Sequence, residues 1–305
     1  MNLRDLRYLV AVAEQRHFGR AADACFVSQP TLSAQLKKLE AFLGVQLVER
    51  TSKQVMLTAV GEEVARRARS ILNTADDIVE VARAARDPLA GDLRLGVIPT
   101  VAPYLLPTLI PALRGALPQL RPLLHEEQTG RCVDRLRQGA LDAAIIAVPV
   151  DGAEAFPQLA LYDEPFLLAA PAGHPLAARE RVCLDDLAET RLLLLEEGHC
   201  LRDQALDVCQ TVGASEDSEF RATSLETLRQ MAATGAGLTL LPELAADGGN
   251  NGALVLCRFQ DPQPRRRIAA VWRKGAAREP TVRALAEVVR GLAPVRALAT
   301  SHAAP

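Results

Sequence analysis

Two cysteines nine residues apart, Cys200 and Cys209, sit in the stretch EEGHCLRDQALDVCQ. A thiol does its chemistry as the thiolate, which attacks peroxides and disulfides. His199 precedes Cys200 and Arg202 follows two residues later. A helix starting here would add its N-terminal dipole, so all three favour a negative sulfur. Asp203 opposes that field and offers a partner to orient Arg202. Oxidation of a thiolate gives a sulfenic acid, which a second thiol converts to a disulfide. Cys209 is the nearest second thiol in sequence. In a helix, nine steps of about 100° turn the two side chains about 180° apart and carry them about 13 Å along the axis. A disulfide needs its Cα atoms within about 7 Å. The pair therefore bonds only if the helix comes apart, which is the behaviour of a redox switch. The plain alternative is a cysteine serving as a small apolar core residue, and that reading is given to Cys25, Cys132, Cys183 and Cys257.

A fast reaction with peroxide also needs donors for the departing hydroxide. Thr100 follows an expected strand end at Val97-Ile98-Pro99, and Thr129 ends the next strand and precedes a helix. In an open α/β sheet such carboxyl ends converge on the ligand crevice. Helix capping is the other role open to both threonines. The frame that would hold them starts at about residue 91, where DLRLGVI, LRPLLHEE and LDAAIIAV read as strands and 103–115 and 130–138 as helices between them. LALYDEPFLLAA, TRLLLLEE, ALVLCRF and RIAAVWR read as later strands, LETLRQMAATGAG as a helix ending at a glycine, and a last helix starts near 280. The alternation predicts an α/β fold with mostly parallel sheets, in two halves joined by crossing strands.

The first 90 residues read differently. Leu3, Leu6, Leu9, Val10 and Ala13 recur at helical spacing, and 18–25 make a short helix with small Ala21, Ala22 and Cys25. Ser28 fits an N-cap, with Pro30 tolerated in the first turn. The next helix buries Leu32, Leu36, Leu39 and Leu43. Its outer face shows Gln29, Thr31, Ser33, Gln35, Lys37 and Lys38. This is a helix-turn-helix pattern. Gln, Ser and Thr can hydrogen-bond base edges, whereas Lys37, Lys38, Arg50 and Lys53 suit phosphates, as does Arg4 from the first helix. A solvated face on a helical bundle is the alternative. VERTSKQVMLTAVG reads as a two-stranded wing. One long helix then spans about Thr58 to Asp87, with Val64, Ala68, Ile71, Leu72, Ala75, Ile78, Val79 and Ala82 in one apolar stripe suited to pairing with another helix.

Composition excludes several classes. The net charge is −2, so no global field draws nucleic acid; residues 1–60 alone are basic, with eight Lys+Arg against five Asp+Glu. No run of about 18 apolar residues exists, so no membrane span is expected. The N-terminal stretch reads as an amphipathic helix rather than a signal peptide. Six scattered cysteines make no secreted disulfide framework, and no Cys/His spacing suits zinc.

Residues 1–60 resemble the winged helix-turn-helix of LysR-type transcriptional regulators. The resemblance is carried by Phe18, Ala21-Ala22, Ser28-Gln29-Pro30, Ser33, Leu39-Glu40, Leu43-Gly44, Leu47-Val48-Glu49-Arg50, Leu57-Thr58 and Gly61, and it extends over nearly the whole chain. It implies a DNA-binding domain at 1–58, with Pro30 also at the interface. A linker and dimerisation helix would occupy 59–88, and an effector domain of two periplasmic-binding-protein-like α/β subdomains 89–305. It further implies a homodimer or homotetramer on promoter DNA, in contact with RNA polymerase. Within the family, EEGHCLRDQAL and FRATSLETLRQMAATGAGLTLLP are similar to the members that sense hydrogen peroxide. That similarity implies oxidation of Cys200, a disulfide to Cys209, and a peroxide pocket of Thr100, Thr129, His199, Arg202, Asp203 and Arg266. The run Arg265-Arg266-Arg267 leaves its register open. Asp207-Val208 departs from the small and aromatic residues expected there. A cytoplasmic regulator reset by a glutaredoxin-like or thioredoxin-like reductant is expected, neither an enzyme nor dependent on a cofactor. The rivals are a LysR-type regulator that binds a small organic effector, a thiol peroxidase, and a solute-binding protein.

Overall fold

The computed structural model describes residues 1–50, 55–84, 87–246 and 252–300, and it divides into two units near residue 85, with Arg137–Ala140 grouped with the first. Helices α1 (Leu3–Gln15), α2 (Phe18–Ala24) and α3 (Gln29–Leu43) open the first unit. Asn2 caps α1, accepting from the backbone of Arg4 and Asp5, while the Asp5 carboxylate takes the Asn2 N–H in return. The αL backbone of Phe26 (φ 56°) tightens the link between α2 and α3, and Ser28 caps α3 as expected. Leu32, Leu36 and Leu39 pack with Leu9, Ala21, Ala22 and Leu47, while Leu43 is half-buried. Strands β1 (Val48–Arg50) and β2 (Val55–Leu57) pair antiparallel as the wing. Lys53 lies outside the described residues. Helix α4 (Ala59–Ala84) starts hard against the wing: a Cβ on Gly61 would sit 2.0 Å from the Leu47 carbonyl oxygen, so only glycine fits. Farther along, Ile71, Ile78 and Val79 of the apolar stripe are exposed within this single chain.

The second unit begins with β3 (Gly91–Val97), α5 (Ala102–Ala116), β4 (Leu120–Glu126), α6 (Thr129–Arg137) and β5 (Ala143–Val148). β3 lies between β4 and β5, parallel to both. The chain continues through β6 (Gln158–Pro171), β7 (Arg181–Val182), β8 (Arg191–Leu195), α7 (Cys200–Val212), β9 (Ser215–Ala222), α8 (Leu225–Ala233), β10 (Thr239–Pro242), β11 (Leu254–Phe259), β12 (Arg265–Trp272), α9 (Glu279–Gly291) and α10 (Ala293–Thr300). Two buried clusters form its core. One gathers Leu95, Ile145, Ile268, Trp272 and Val282, the other Phe166, Leu193, Leu201, Leu228 and Phe259.

The sheets are mixed, which corrects the mostly parallel expectation. β6 runs through both clusters, pairing antiparallel with β12 along its first half and with β10 and β11 along its second. β12 returns between β5 and β6 and is antiparallel to both. Strands that carry the chain across and back must run in opposite senses. The sequence also hid β9, whose acidic SEDSEFRA lacks an apolar alternation; it pairs parallel with β8, which makes α7 the crossover helix between them. Among the described residues no helix is long and apolar enough to cross a membrane.

Candidate redox site and nucleic-acid interface

The stretch that holds the two cysteines is a helix from Cys200 to Val212, so both thiols belong to one unbroken α7. Cys200 and Cys209 are 8% and 2% exposed, and they pack into different clusters, Cys200 into the first and Cys209 into the second. Both cysteines are free. Burial pushes the Cys209 thiol above its ordinary value. Its carbonyl accepts the N–H groups of Gly213 and Ala214, which close the helix, so drawing Cys209 away also undoes the C-terminal cap. The other end is weaker. His199 holds the N-cap position but its side chain makes no capping bond. Beside α7 runs a groove of about 1100 Å³, lined on the helix side by Gln204, Asp207, Val208 and Thr211 and opposite by Pro264 and Arg265. That side of the helix is not sealed by packing.

The two threonines lie at neighbouring strand ends, because Glu127 N–H donates to the Val97 carbonyl. Thr100 is buried, and Arg266 fixes it: Nη1 donates to Thr100 Oγ1 at 2.8 Å and Nη2 to its carbonyl at 3.1 Å. With a lone pair of Oγ1 so engaged, the threonine hydrogen is left to donate elsewhere. Thr129 opens α6, is 4% exposed, and its Oγ1 has no hydrogen-bond partner among the described residues. A buried, unanswered hydroxyl suits a polar guest. The loop before Cys200 rests on the same helix start: a Cβ on Gly198 (φ 93°) would lie 2.7 Å from Gln128 Oε1. These contacts set Gly198, two residues before Cys200, against the residue that precedes Thr129, with Thr100 beyond the adjoining strand end.

Alternation along β12 resolves the arginine run. Arg266 is buried, whereas Arg265 and Arg267 are exposed and Arg267 pairs with Asp163. Directly across on β6, Glu164 is fully buried and accepts Arg266 Nε at 2.8 Å; its other oxygen takes the Leu244 N–H at 2.9 Å. The sequence reading missed Glu164. Two adjacent acids, Asp163 and Glu164, lie opposite Arg267 and Arg266, and strand alternation sends only Glu164 inward.

The expected field around Cys200 is only partly realised. Burial pushes the His199 imidazole below its ordinary pKa, against the opposing pull of Glu196 and a hydrogen bond to the Thr223 backbone. His199 is thus neutral at neutral pH and contributes a dipole rather than a cation. Arg202 is not oriented by Asp203. Its guanidinium is clamped on Glu216 of β9, with Nη2 to Oε2 at 2.7 Å, and it also donates to the Leu195 carbonyl. Asp203 is exposed as a residue; partial desolvation of its carboxyl raises its pKa, opposed by Arg202 and reinforced by Asp207. Arg202 therefore anchors α7 to β9.

This anchor has a pH signature. The hydrogen bond from Arg202 holds the Glu216 carboxyl below its usual range. A carboxylate lowered by folding contributes stability that is complete above its unfolded value, near about 4.3, and is lost as pH falls through the folded value. Acid should loosen α7, and Glu216→Ala should remove that acid limb. At neutral pH the same variant should close the Cys200–Cys209 bond about tenfold faster after oxidation, since a charged hydrogen bond contributes about 1.5 kcal/mol. Stopped-flow disulfide kinetics read this. An unchanged or slower closure would mean the clamp does not restrain the helix.

On α3, Gln29, Pro30, Thr31, Lys37 and Lys38 are exposed, and Ser33 and Gln35 flank them half-buried. Thr31 shares a hydrogen bond with Ser28 at 2.8 Å, which ties it to the helix start. Ala34 and Ala41 complete the outer face and were not singled out from sequence; a methyl there can meet a thymine methyl. Arg4 is exposed at the start of α1, and Arg50 lies in β1.

Residues 3–62 match the family described as "Bacterial regulatory helix-turn-helix protein, lysR family", and residues 86–294 match "LysR substrate binding domain". The chain is 50% identical over 292 residues to the "Hydrogen peroxide-inducible genes activator" of Dickeya chrysanthemi, covering 95% of each chain. A full-length OxyR variant from Pseudomonas aeruginosa superposes with a TM-score of 0.78 at 40% identity, covering 97% of each chain. A hydrogen peroxide-bound OxyR mutant from Corynebacterium glutamicum gives 0.68 at 36% identity, covering 100% of this chain and 96% of that one.

Proposed function

We infer, given that the chain belongs to the LysR family of bacterial helix-turn-helix regulators, that it is a DNA-binding transcription factor that senses hydrogen peroxide through Cys200 and Cys209. The observation that carries this reading is one helix holding both thiols at opposite ends and in different cores, together with a buried Thr129 hydroxyl that has no hydrogen-bond partner among the described residues. On this reading residues 1–58 contact DNA, 59–88 pair subunits through the exposed α4 stripe, and 89–305 sense the oxidant. Peroxide enters between Thr100, Thr129 and Cys200. The Cys200 thiolate attacks one oxygen; the hydroxide that leaves is stabilised by the threonine hydroxyls and the N–H groups at the start of α7. Sulfenic acid at Cys200 then waits for α7 to open. Opening starts at the uncapped His199 end and brings Cys209 out of the second cluster. The disulfide locks the opened form, which changes how the subunits of a homodimer or homotetramer pack and so how the promoter and RNA polymerase are engaged.

The protein reads peroxide stoichiometrically rather than consuming it, and acts in the cytoplasm, where a glutaredoxin-like or thioredoxin-like dithiol resets it. Thiol mass spectrometry with DNA footprinting on the reduced and oxidised forms tests the assignment. One disulfide, Cys200 to Cys209, and a shifted footprint support it. Intact thiols after peroxide, with a footprint that responds to a small organic molecule, would move the chain to the effector-binding regulators.

The α3 face makes a separate prediction. Lys37→Ala should weaken binding to all sequences alike and lower the salt slope by about one, as loss of a phosphate contact does. Gln29→Ala or Ser33→Ala should instead relax preference for particular bases. Titrations at several salt concentrations against matched and scrambled sites separate the two, and affinities untouched by all three changes would place the reading surface elsewhere.

A further inference from the structure

We propose that Cys132 is a second resolving thiol for Cys200, so that the oxidised pocket can close on Cys132 with α7 intact as well as on Cys209 with α7 undone. The proposal rests on the reading that peroxide oxidises Cys200. Cys132 lies three residues beyond Thr129 on α6, hence one turn along the same helix face. That face carries the buried Thr129 hydroxyl, which has no hydrogen-bond partner among the described residues. Gly198, two residues before Cys200, rests on Gln128, whose carbonyl accepts the Cys132 N–H. The turn that leads into Cys200 therefore lies against the start of α6. The Cys132 sulfur is wedged against the next layer: a Cβ on Gly96 of β3 would lie 3.0 Å from it. Cys132 and Cys200 share one core cluster, from which Cys209 is excluded. Burial, then Glu127, and also the Cys200 sulfur push the Cys132 thiol up to about 12, against Arg135.

The chemistry balances without a further reagent. Peroxide takes two electrons from Cys200 and leaves S–OH. Cys132 then gives up its proton and attacks that sulfur; the S–S bond forms, the S–O bond breaks, and water departs. Scarcity of thiolate at Cys132 makes this closure slow. A slow closure that needs no unwinding protects Cys200 from sulfinic acid while keeping the reduced-like fold. The Cys132 bond is thus a shelter, and the Cys209 bond the signal.

The test uses the full-length Cys209→Ser protein, treated with hydrogen peroxide, quenched with an alkylating reagent and mapped without reduction. The expected result is a Cys132–Cys200 crosslinked peptide, with protease sensitivity over 199–216 as in the reduced protein. Cys132→Ala in the same background should then accumulate sulfinic acid at Cys200 severalfold faster. Should that second change weaken the core, the crosslink in the single variant decides alone. Cys132 fully alkylated while Cys200 becomes sulfinic acid overturns the proposal and leaves the sensing role of Cys200 standing. A Cys200 that peroxide leaves untouched in the wild-type protein overturns both.

Discussion

Cys200→Ser should remove the response to peroxide altogether and leave the DNA affinity of the reduced protein unchanged. The sulfur is the only atom this change takes from the pocket, and serine retains a small polar side chain at the first position of α7. The α3 face belongs to the other unit. The serine hydroxyl is not a nucleophile toward peroxide under these conditions, so no sulfenic acid forms and α7 has no reason to open. Footprints of the variant with and without peroxide should match each other and the reduced wild type. An equal loss of affinity in the reduced state would make Cys200 a structural residue and the switch an artefact of misfolding.

Arg266→Met should be the most destabilising single change near the site. Arg266 and Glu164 are 1% and 0% exposed in their side chains and 2.7 Å apart. Removing one member of such a pair leaves a buried charge unanswered and costs about 3–5 kcal/mol. For a unit of this size that lowers the thermal midpoint by about 6–20 °C, at roughly 2–4 °C per kcal/mol. Oxidation of Cys200 should slow as well, because Thr100 loses the two hydrogen bonds that aim it. The double change Arg266→Met with Glu164→Leu separates the effects. Replacing both charges with apolar groups is often near neutral for stability. The double variant should thus regain much of the lost midpoint while oxidation stays slow. Recovery of both would reduce the arginine to a fold-holding role, and a single variant as stable as wild type would mean the pair is not closed from water.

Much of this was legible in the sequence, and the exceptions have physical reasons. Ser28, Leu32, Leu36 and Leu39 declared α3, its cap and its buried face, because a helix surface repeats within a few residues. The condition behind the thiol spacing, a helix through both cysteines, is met by Cys200–Val212. Partners distant in sequence were not legible. Glu164 meets Arg266 across 102 positions, and Glu216 takes Arg202 from the strand that the sequence concealed. The local charge Asp203 looked like the partner of Arg202 because adjacency is all a sequence offers. Cys132 shows the same blindness. Nothing around it in the chain marks it as different from Cys183 or Cys257, and only the fold sets it in one core cluster with Cys200. The sheet direction failed for a related reason. Alternation of strands and helices predicts parallel neighbours, but β6 carries the chain from one core to the other and β12 carries it back, so the two pair antiparallel.

The central claim is that Cys200 reacts in its own pocket while Cys209 is still out of reach. Stopped-flow oxidation of Cys209→Ser, with a trap for sulfenic acid and wild type in parallel, addresses it most directly. The initial rate should equal that of wild type, and protease cleavage over 199–216 should stay as in the reduced protein. A collapse of the initial rate would mean the two thiols already touch in the reduced fold, which contradicts a switch that must take α7 apart.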